Sequence, residues 1–223
     1  MNRSQTLKLI SNLSDNNDKL PMIIELAGTP NSGKTTIINE LDTVFRRYNI
    51  NSKVICESAR YCKITNKKSP QFNYWTALET IQRIISMIDQ GYKIIICDRG
   101  IFDAITWMNF YLNNKLISKK DFDTTINFYM LNEWRQYVHC VVAITCDPQI
   151  SINRDIDYKE FEVYGSIVNP QILPQINKAI IETIEDYKKH FNKLMYFDTS
   201  DDLSKMKKRI VNDILNTLVH YLQ

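Results

Sequence analysis

Gly28-Thr29-Pro30-Asn31-Ser32-Gly33-Lys34-Thr35 matches the spacing GxxxxGK[ST] at every fixed position. Glycines at such positions let the backbone wrap a row of phosphate oxygens. The loop amides and a helix N-terminus then offer those oxygens partial positive charge. In this pattern Lys34 reaches the β- and γ-phosphates, and Thr35 ligates Mg²⁺ through its hydroxyl. An apolar run over residues 22–27 leads in and an amphipathic stretch over 34–48 leads out, the strand–loop–helix context that the chemistry needs. The residues expected to bind the nucleotide here are Gly28, Asn31, Ser32, Gly33, Lys34, Thr35 and Thr36. The loop points to a nucleoside triphosphate with Mg²⁺ and leaves the reaction open.

Two further groups sit where apolar runs meet polar sequence. Ile94-Ile95-Ile96-Cys97-Asp98-Arg99-Gly100 ends a run in an acid and a base. In open α/β sheets ligands bind at the carboxyl ends of strands, beside such a loop. Asp98 can hold Mg²⁺ through water there, and Arg99 can grip a phosphoryl oxygen with a planar, bidentate donor. Val54-Ile55-Cys56-Glu57-Ser58-Ala59-Arg60 places Glu57 at the end of the preceding run. A carboxylate in that place can accept the proton of an attacking hydroxyl. Arg60 can pair with it or bind an anionic substrate.

The elements that must position these groups are legible as alternating patterns. Apolar runs at 22–27, 53–57, 92–98, 140–146 and 194–198 read as buried parallel strands, and four of the five lack the alternation of a half-exposed strand. Helical patterns cover 34–48, 74–90, 103–112, 119–137, 170–191 and 203–222. The alternation predicts an α/β chain with a doubly wound parallel five-stranded sheet in three layers. A single domain is expected over 21–223, and residues 1–20 form an arm compatible with a short helix or with disorder.

The 223 residues are 44% apolar and 24% charged, ordinary for a soluble domain, and a formal net charge of +3 gives no reason to expect wholesale binding to nucleic acid or to an anionic membrane. No run is long and apolar enough to span a bilayer, and the polar start lacks a secretory core, so a cytoplasmic protein is expected. Cys56, Cys62, Cys97, Cys140 and Cys146 form no CxxC pair and read as free thiols. His139, His190 and His220 are scattered without ligand spacing, so no structural metal is expected.

With the three anchors in order, the chain resembles the thymidylate kinase and deoxynucleoside kinase superfamily over about residues 21–222. Asp147-Pro148 followed by Arg154, and Phe197-Asp198-Thr199-Ser200 before the last helix, add to the likeness. The resemblance implies a P-loop NTPase fold with strand order 2-3-1-4-5 and transfer of the ATP γ-phosphoryl group to a small nucleoside or nucleotide acceptor. It implies Glu57 as general base, Arg99 on the 5′-hydroxyl and phosphates, and a lid near 154–169 with Arg154 as its arginine. Asp198 and Ser200 would flank the adenine. Asn73, Trp75 and Gln82 become candidates for the acceptor pocket beside Arg60, and Lys34, Glu57, Arg99 and Arg154 form the expected catalytic set. The stretch containing Asp155, Asp157, Glu160 and Glu162 departs from the family by being acidic where a lid is usually arginine-rich. The uncharged Thr29, Pro30, Asn31 and Ser32 favour a hydroxyl acceptor over a monophosphate. Glu57-Ser58-Ala59-Arg60 also resembles the ribosylnicotinamide kinase type.

Readings outside that class are an ATP-driven binding or signalling module and a polynucleotide-end kinase, the latter citing Lys205, Lys207, Lys208 and Arg209, which fit a solvated helix face. A regulatory GTPase would need switch and base-reading motifs that the chain does not carry. The aromatics of 119–137 leave open a homodimer face or core.

Overall fold

A computed structural model describes residues 2–15, 21–159 and 167–223. Five parallel strands form its sheet: β1 (Met22–Gly28), β2 (Ser52–Ile55), β3 (Ile94–Asp98), β4 (Val138–Thr145) and β5 (Lys193–Asp198), in the order β2-β3-β1-β4-β5. This is the expected order. In-register pairs Leu26 with Asp98, Ile55 with Cys97, and Thr145 with Asp198 bring the carboxyl ends of all strands to one rim.

Alternation along β1 divides the core. Ile23 and Ala27 face one side, where α3 (Pro70–Asp89), α4 (Ile101–Asn113), α5 (Lys119–Tyr129), α6 (Asn132–Arg135) and α8 (Leu173–Tyr187) pack. Met22, Ile24 and Leu26 face the other, against α1 (Arg3–Asp15), α2 (Lys34–Arg47) and α9 (Leu203–Leu222). α7 (Pro148–Lys159) follows β4. Of the two forms open for the start of the chain, residues 3–15 are helical. Leu7 and Ile10 are buried, Arg3 pairs with Glu40 at 2.8 Å, and Ser4 accepts from the Tyr48 hydroxyl at 2.9 Å.

Three expectations are corrected. The outer strands are not buried on both faces: β2 and β5 are edges, with Lys53, Lys193 and Tyr196 exposed. The single helix expected over 119–137 is two, because the chain extends at Leu131 (φ −55°, ψ 137°) to bury Trp134, whose indole donates to Tyr129 O at 2.9 Å. Phe122, Tyr129 and Trp134 are thus core, while Phe128 and Leu131 stay exposed. Residues 170–191 become helical only from Leu173, because Asn169 Oδ1 first accepts from the Gln171 and Ile172 amides at 3.0 and 2.9 Å.

Candidate active site

β1 ends at Gly28 (φ 145°), where a Cβ would lie 1.9 Å from Ile144 O, so only glycine lets the chain leave the sheet here. The loop is tied down from several sides. Thr29 N donates to Ile144 O at 3.1 Å, and Ser32 Oγ to Thr29 O at 2.8 Å. The buried Thr199 hydroxyl donates to Ser32 O at 2.9 Å. From α7, Ser151 Oγ donates to Pro30 O at 2.9 Å, and Asn31 Nδ2 returns bonds to Ser151 O and Asp155 Oδ1 at 3.2 and 3.1 Å. Lys34 opens α2 and is 6% exposed, its ammonium donating to Gly28 O at 3.0 Å and Thr29 O at 2.6 Å.

Beside the loop lies a cavity of about 450 Å³. Lys34, Thr35, Glu57, Asp98, Arg99 and Asp103 line its charged end, and Phe72, Trp107 and Tyr111 give it aromatic surface. Arg99 is the hub. Its Nε lies 2.7 Å from Glu57 Oε1, and its Nη1 donates to both Asp103 oxygens at 2.9 and 3.0 Å. Burial works against the Arg99 charge, but Asp103, Glu57 and Asp98 outweigh it and hold the guanidinium above its ordinary value. In return Arg99, against burial, holds the Glu57 carboxyl below the usual carboxylate range. Burial pushes Asp98 up, opposed by Lys34 and Arg99. Burial, with Arg99 beside it, lowers Lys34 from 10.5 to about 8.

That last shift has a signed consequence. The unfolded chain keeps the lysine proton up to 10.5 and the folded chain releases it from about 8, so stability rises with pH across this window. Triphosphate binding, which needs the charge, weakens over the same window. Calorimetry of ATP binding in buffers of different ionisation enthalpy is expected to show proton uptake above pH 8. Affinity and proton count independent of pH there would contradict the assignment.

The structure brings Lys34, Thr35, Glu57, Asp98 and Arg99 to one cavity wall, with Asn31, Arg60 and Asn73 on the same cavity. Asn73 is buried, and its Nδ2 is committed to Ala104 O at 3.2 Å, leaving Oδ1 to meet a ligand. Trp75 and Gln82 lie off the cavity, because α3 turns Asn73, Ala77, Thr80, Ile81 and Ile84 inward. Trp107, from α4, supplies the ring that the sequence reading sought in Trp75.

Arg154 is also off the cavity wall. Its guanidinium donates to Asn31 O at 3.1 Å, Cys146 Sγ at 3.2 Å and Thr199 O at 2.8 Å, so it braces the phosphate loop where a lid arginine was expected. Asp198 is exposed at the end of β5 and accepts from Ser200 Oγ, outside the cavity. The expected lid begins as α7, whose start Asp147 caps by accepting from Gln149 N at 2.8 Å. Glu160, Glu162 and a turn at Gly165 lie outside the described residues.

Asp103 is a charged group on the cavity wall that sequence reasoning missed. It is 5% exposed, accepts from Gly28 N at 3.3 Å, and joins the phosphate loop to Arg99. Its signal was available as an opposite charge four residues after Arg99 at the start of a helix.

Mg²⁺ fits this donor set. Asp98 Oδ1 is buried without a hydrogen-bond partner, and Thr35 lines the same cavity. Among the described residues no three His, Cys, Asp or Glu side chains gather as a closed cage. Mg²⁺ is commonly held by one or two protein ligands, with waters and phosphates completing its shell.

The fold and this rim define a P-loop nucleotide-binding protein. The chain belongs to the AAA domain family, matched over residues 23–162. Among solved structures it is similar to deoxyadenosine kinase from M. mycoides with bound dATP, at 17% identity and TM-score 0.61, covering 86% of this chain and 99% of that one. The same enzyme with products dCMP and dCDP aligns with TM-score 0.63 at 17% identity, covering 86% and 98%. At these identities the likeness is one of fold. A search of curated sequences returns no match.

Proposed function

We propose that this protein transfers the γ-phosphoryl group of ATP, bound with Mg²⁺, to the hydroxyl of a small nucleoside-type acceptor. The observation that carries the reading is the meeting of Glu57 and Arg99, 2.7 Å apart, on the wall of a cavity that joins the phosphate loop to aromatic surface. The description of the fold relatives as deoxyadenosine kinases supports the same class.

The phosphates lie along residues 28–36, with Lys34 exchanging its two loop carbonyls for phosphate oxygens. Thr35, and Asp98 through water, would hold Mg²⁺, which would supply charge neutralisation to the transferring group. Arg99, kept cationic by its carboxylates, meets the phosphoryl oxygens, and Glu57 accepts the acceptor hydroxyl's hydrogen bond and then its proton. Phe72, Trp107 and Tyr111 hold the base, with Asn73 Oδ1 available to its edge. The loop brace by Arg154 keeps the amides oriented without phosphoryl contact.

A second reading, a monophosphate acceptor, is favoured by Arg60 and Lys67. Both line the cavity, and neither has an ion-pair partner among the described residues. ATP consumption with Mg²⁺ against nucleosides, deoxynucleosides, nicotinamide riboside and monophosphates separates the two. Stimulation by a nucleoside is the expected result. Stimulation by a monophosphate alone moves the acceptor to the second reading, and no stimulation by any of them refutes both.

A further inference from the structure

Glu25 is the one charged side chain of β1, at the centre of the sheet and 1% exposed. Acids are almost never so buried unless paired. Among the described residues, however, no lysine, arginine or histidine forms an ion pair with it. Its partners are backbone amides of the turn into α4. Gly100 N and Asp103 N donate to Oε1 at 2.9 and 2.8 Å, and Phe102 N donates to Oε2 at 3.1 Å. Gly100, at the N-cap of α4, has no side chain to satisfy these amides, so a carboxylate from the neighbouring strand does so. The partial positive charge of the helix start favours the anion. A Cβ on Gly100 would lie 2.7 Å from Glu25 Cδ and Oε2, so any side chain there would push the carboxylate off these amides.

The turn held in this way carries Arg99. Arg99 has a left-handed backbone (φ 65°), and its N–H donates to Leu26 O at 3.0 Å. Such a conformation persists in a non-glycine residue only where the surroundings over-determine it. Glu25 acts on both ends of Arg99. It holds the backbone through Gly100 and the side chain through Asp103, whose amide it accepts from and whose carboxylate receives the guanidinium. Burial pushes the Glu25 carboxyl up to about 7, against its three N–H donors, with Asp103 on α4 adding to the rise. On β3, Cys97 faces it as a thiol that burial keeps protonated. Glu25 is absent from the cavity wall, so it reaches the reaction only through others.

We infer that Glu25 is a positioning residue for phosphoryl transfer, setting Arg99 in place through the amides of Gly100, Phe102 and Asp103. The inference rests on the phosphoryl-transfer reading above.

The test is a double-mutant cycle. Glu25→Gln keeps the shape and sets an amide N–H against a backbone N–H. Gly100→Ala crowds the same contact from the other side and carries the cycle if Glu25→Gln does not fold. Each variant is measured alone and with Arg99→Ala. A positioning defect of this kind is expected to lower kcat by about 10- to 100-fold with little change in the KM for the acceptor. Combined with Arg99→Ala, it is expected to add almost nothing. Losses that multiply, or wild-type kcat in Glu25→Gln, overturn the inference.

If the wild type transfers to none of the acceptors tested, the proposed function fails separately, and the cycle is read on MgATP affinity. A loss in Glu25→Gln that does not add to that of Arg99→Ala sustains the positioning role. An additive loss, or none, overturns it.

Discussion

Lys34→Ala is expected to reduce phosphoryl transfer by roughly 10²- to 10³-fold or more while leaving the chain folded. In the proposed mechanism the ammonium meets the β- and γ-phosphate oxygens, in a buried site where its electrostatic value is high. Folding is expected to survive because the lysine contributes little net stability. Its two charge-assisted bonds to Gly28 O and Thr29 O are worth about 1.5–3 kcal/mol each, and burying its charge offsets much of that. The lost bonds also do not hold the loop alone, since Thr199, Ser151 and Arg154 brace it from outside the cavity. Single-turnover rates with melting temperature measured alongside check both halves. Wild-type turnover in the folded variant would refute the mechanism, and unfolding would refute the account of how the loop is held.

Glu57→Gln carries the second-largest expected effect, a fall in kcat of roughly 10²-fold or more, within the range of a lost general base. Arg99 keeps Glu57 ionised and makes it a weak base in the resting site. Its work is therefore to accept a hydrogen bond from the acceptor hydroxyl, taking the proton late in a loose transition state. Glutamine retains the shape and one acceptor oxygen, so KM for the acceptor should move less than kcat. The folded carboxyl titrates below its ordinary value, so its ion pair with Arg99 stabilises the fold at neutral pH. That contribution is lost only as pH falls through the lowered value. Wild-type activity should therefore show no loss from Glu57 at mildly acidic pH. If Glu57→Gln turns over a nucleoside at the wild-type rate, Glu57 has no role as base.

The contrast between Lys34 and Arg154 shows why some of the site was legible in the chain and some was not. Lys34 works from within a consecutive loop, where spacing alone dictates which atoms meet the phosphates. Arg154 matched its expected position in sequence, yet its guanidinium is spent on Asn31, Cys146 and Thr199, which come from three places in the chain. Trp75 failed as a cavity residue for a related reason. Helical spacing tells that a face is apolar, while the rotation of α3 against α4 decides which face meets the cavity, and it selected Asn73 and Ala77.

By itself the sequence determined the phosphate loop, the acids and the arginine at the strand ends, and the alternation that forces a parallel sheet, because each is a local pattern with a local physical cause. The tertiary structure alone decided the rest. Register along β1 and β3 brought Glu25 under the turn after β3, and the fold set Glu57 and Asp103 on either side of Arg99. A buried charge takes its partners from whichever elements the packing brings near, and those partners lie 75 or more residues from Glu25 along the chain.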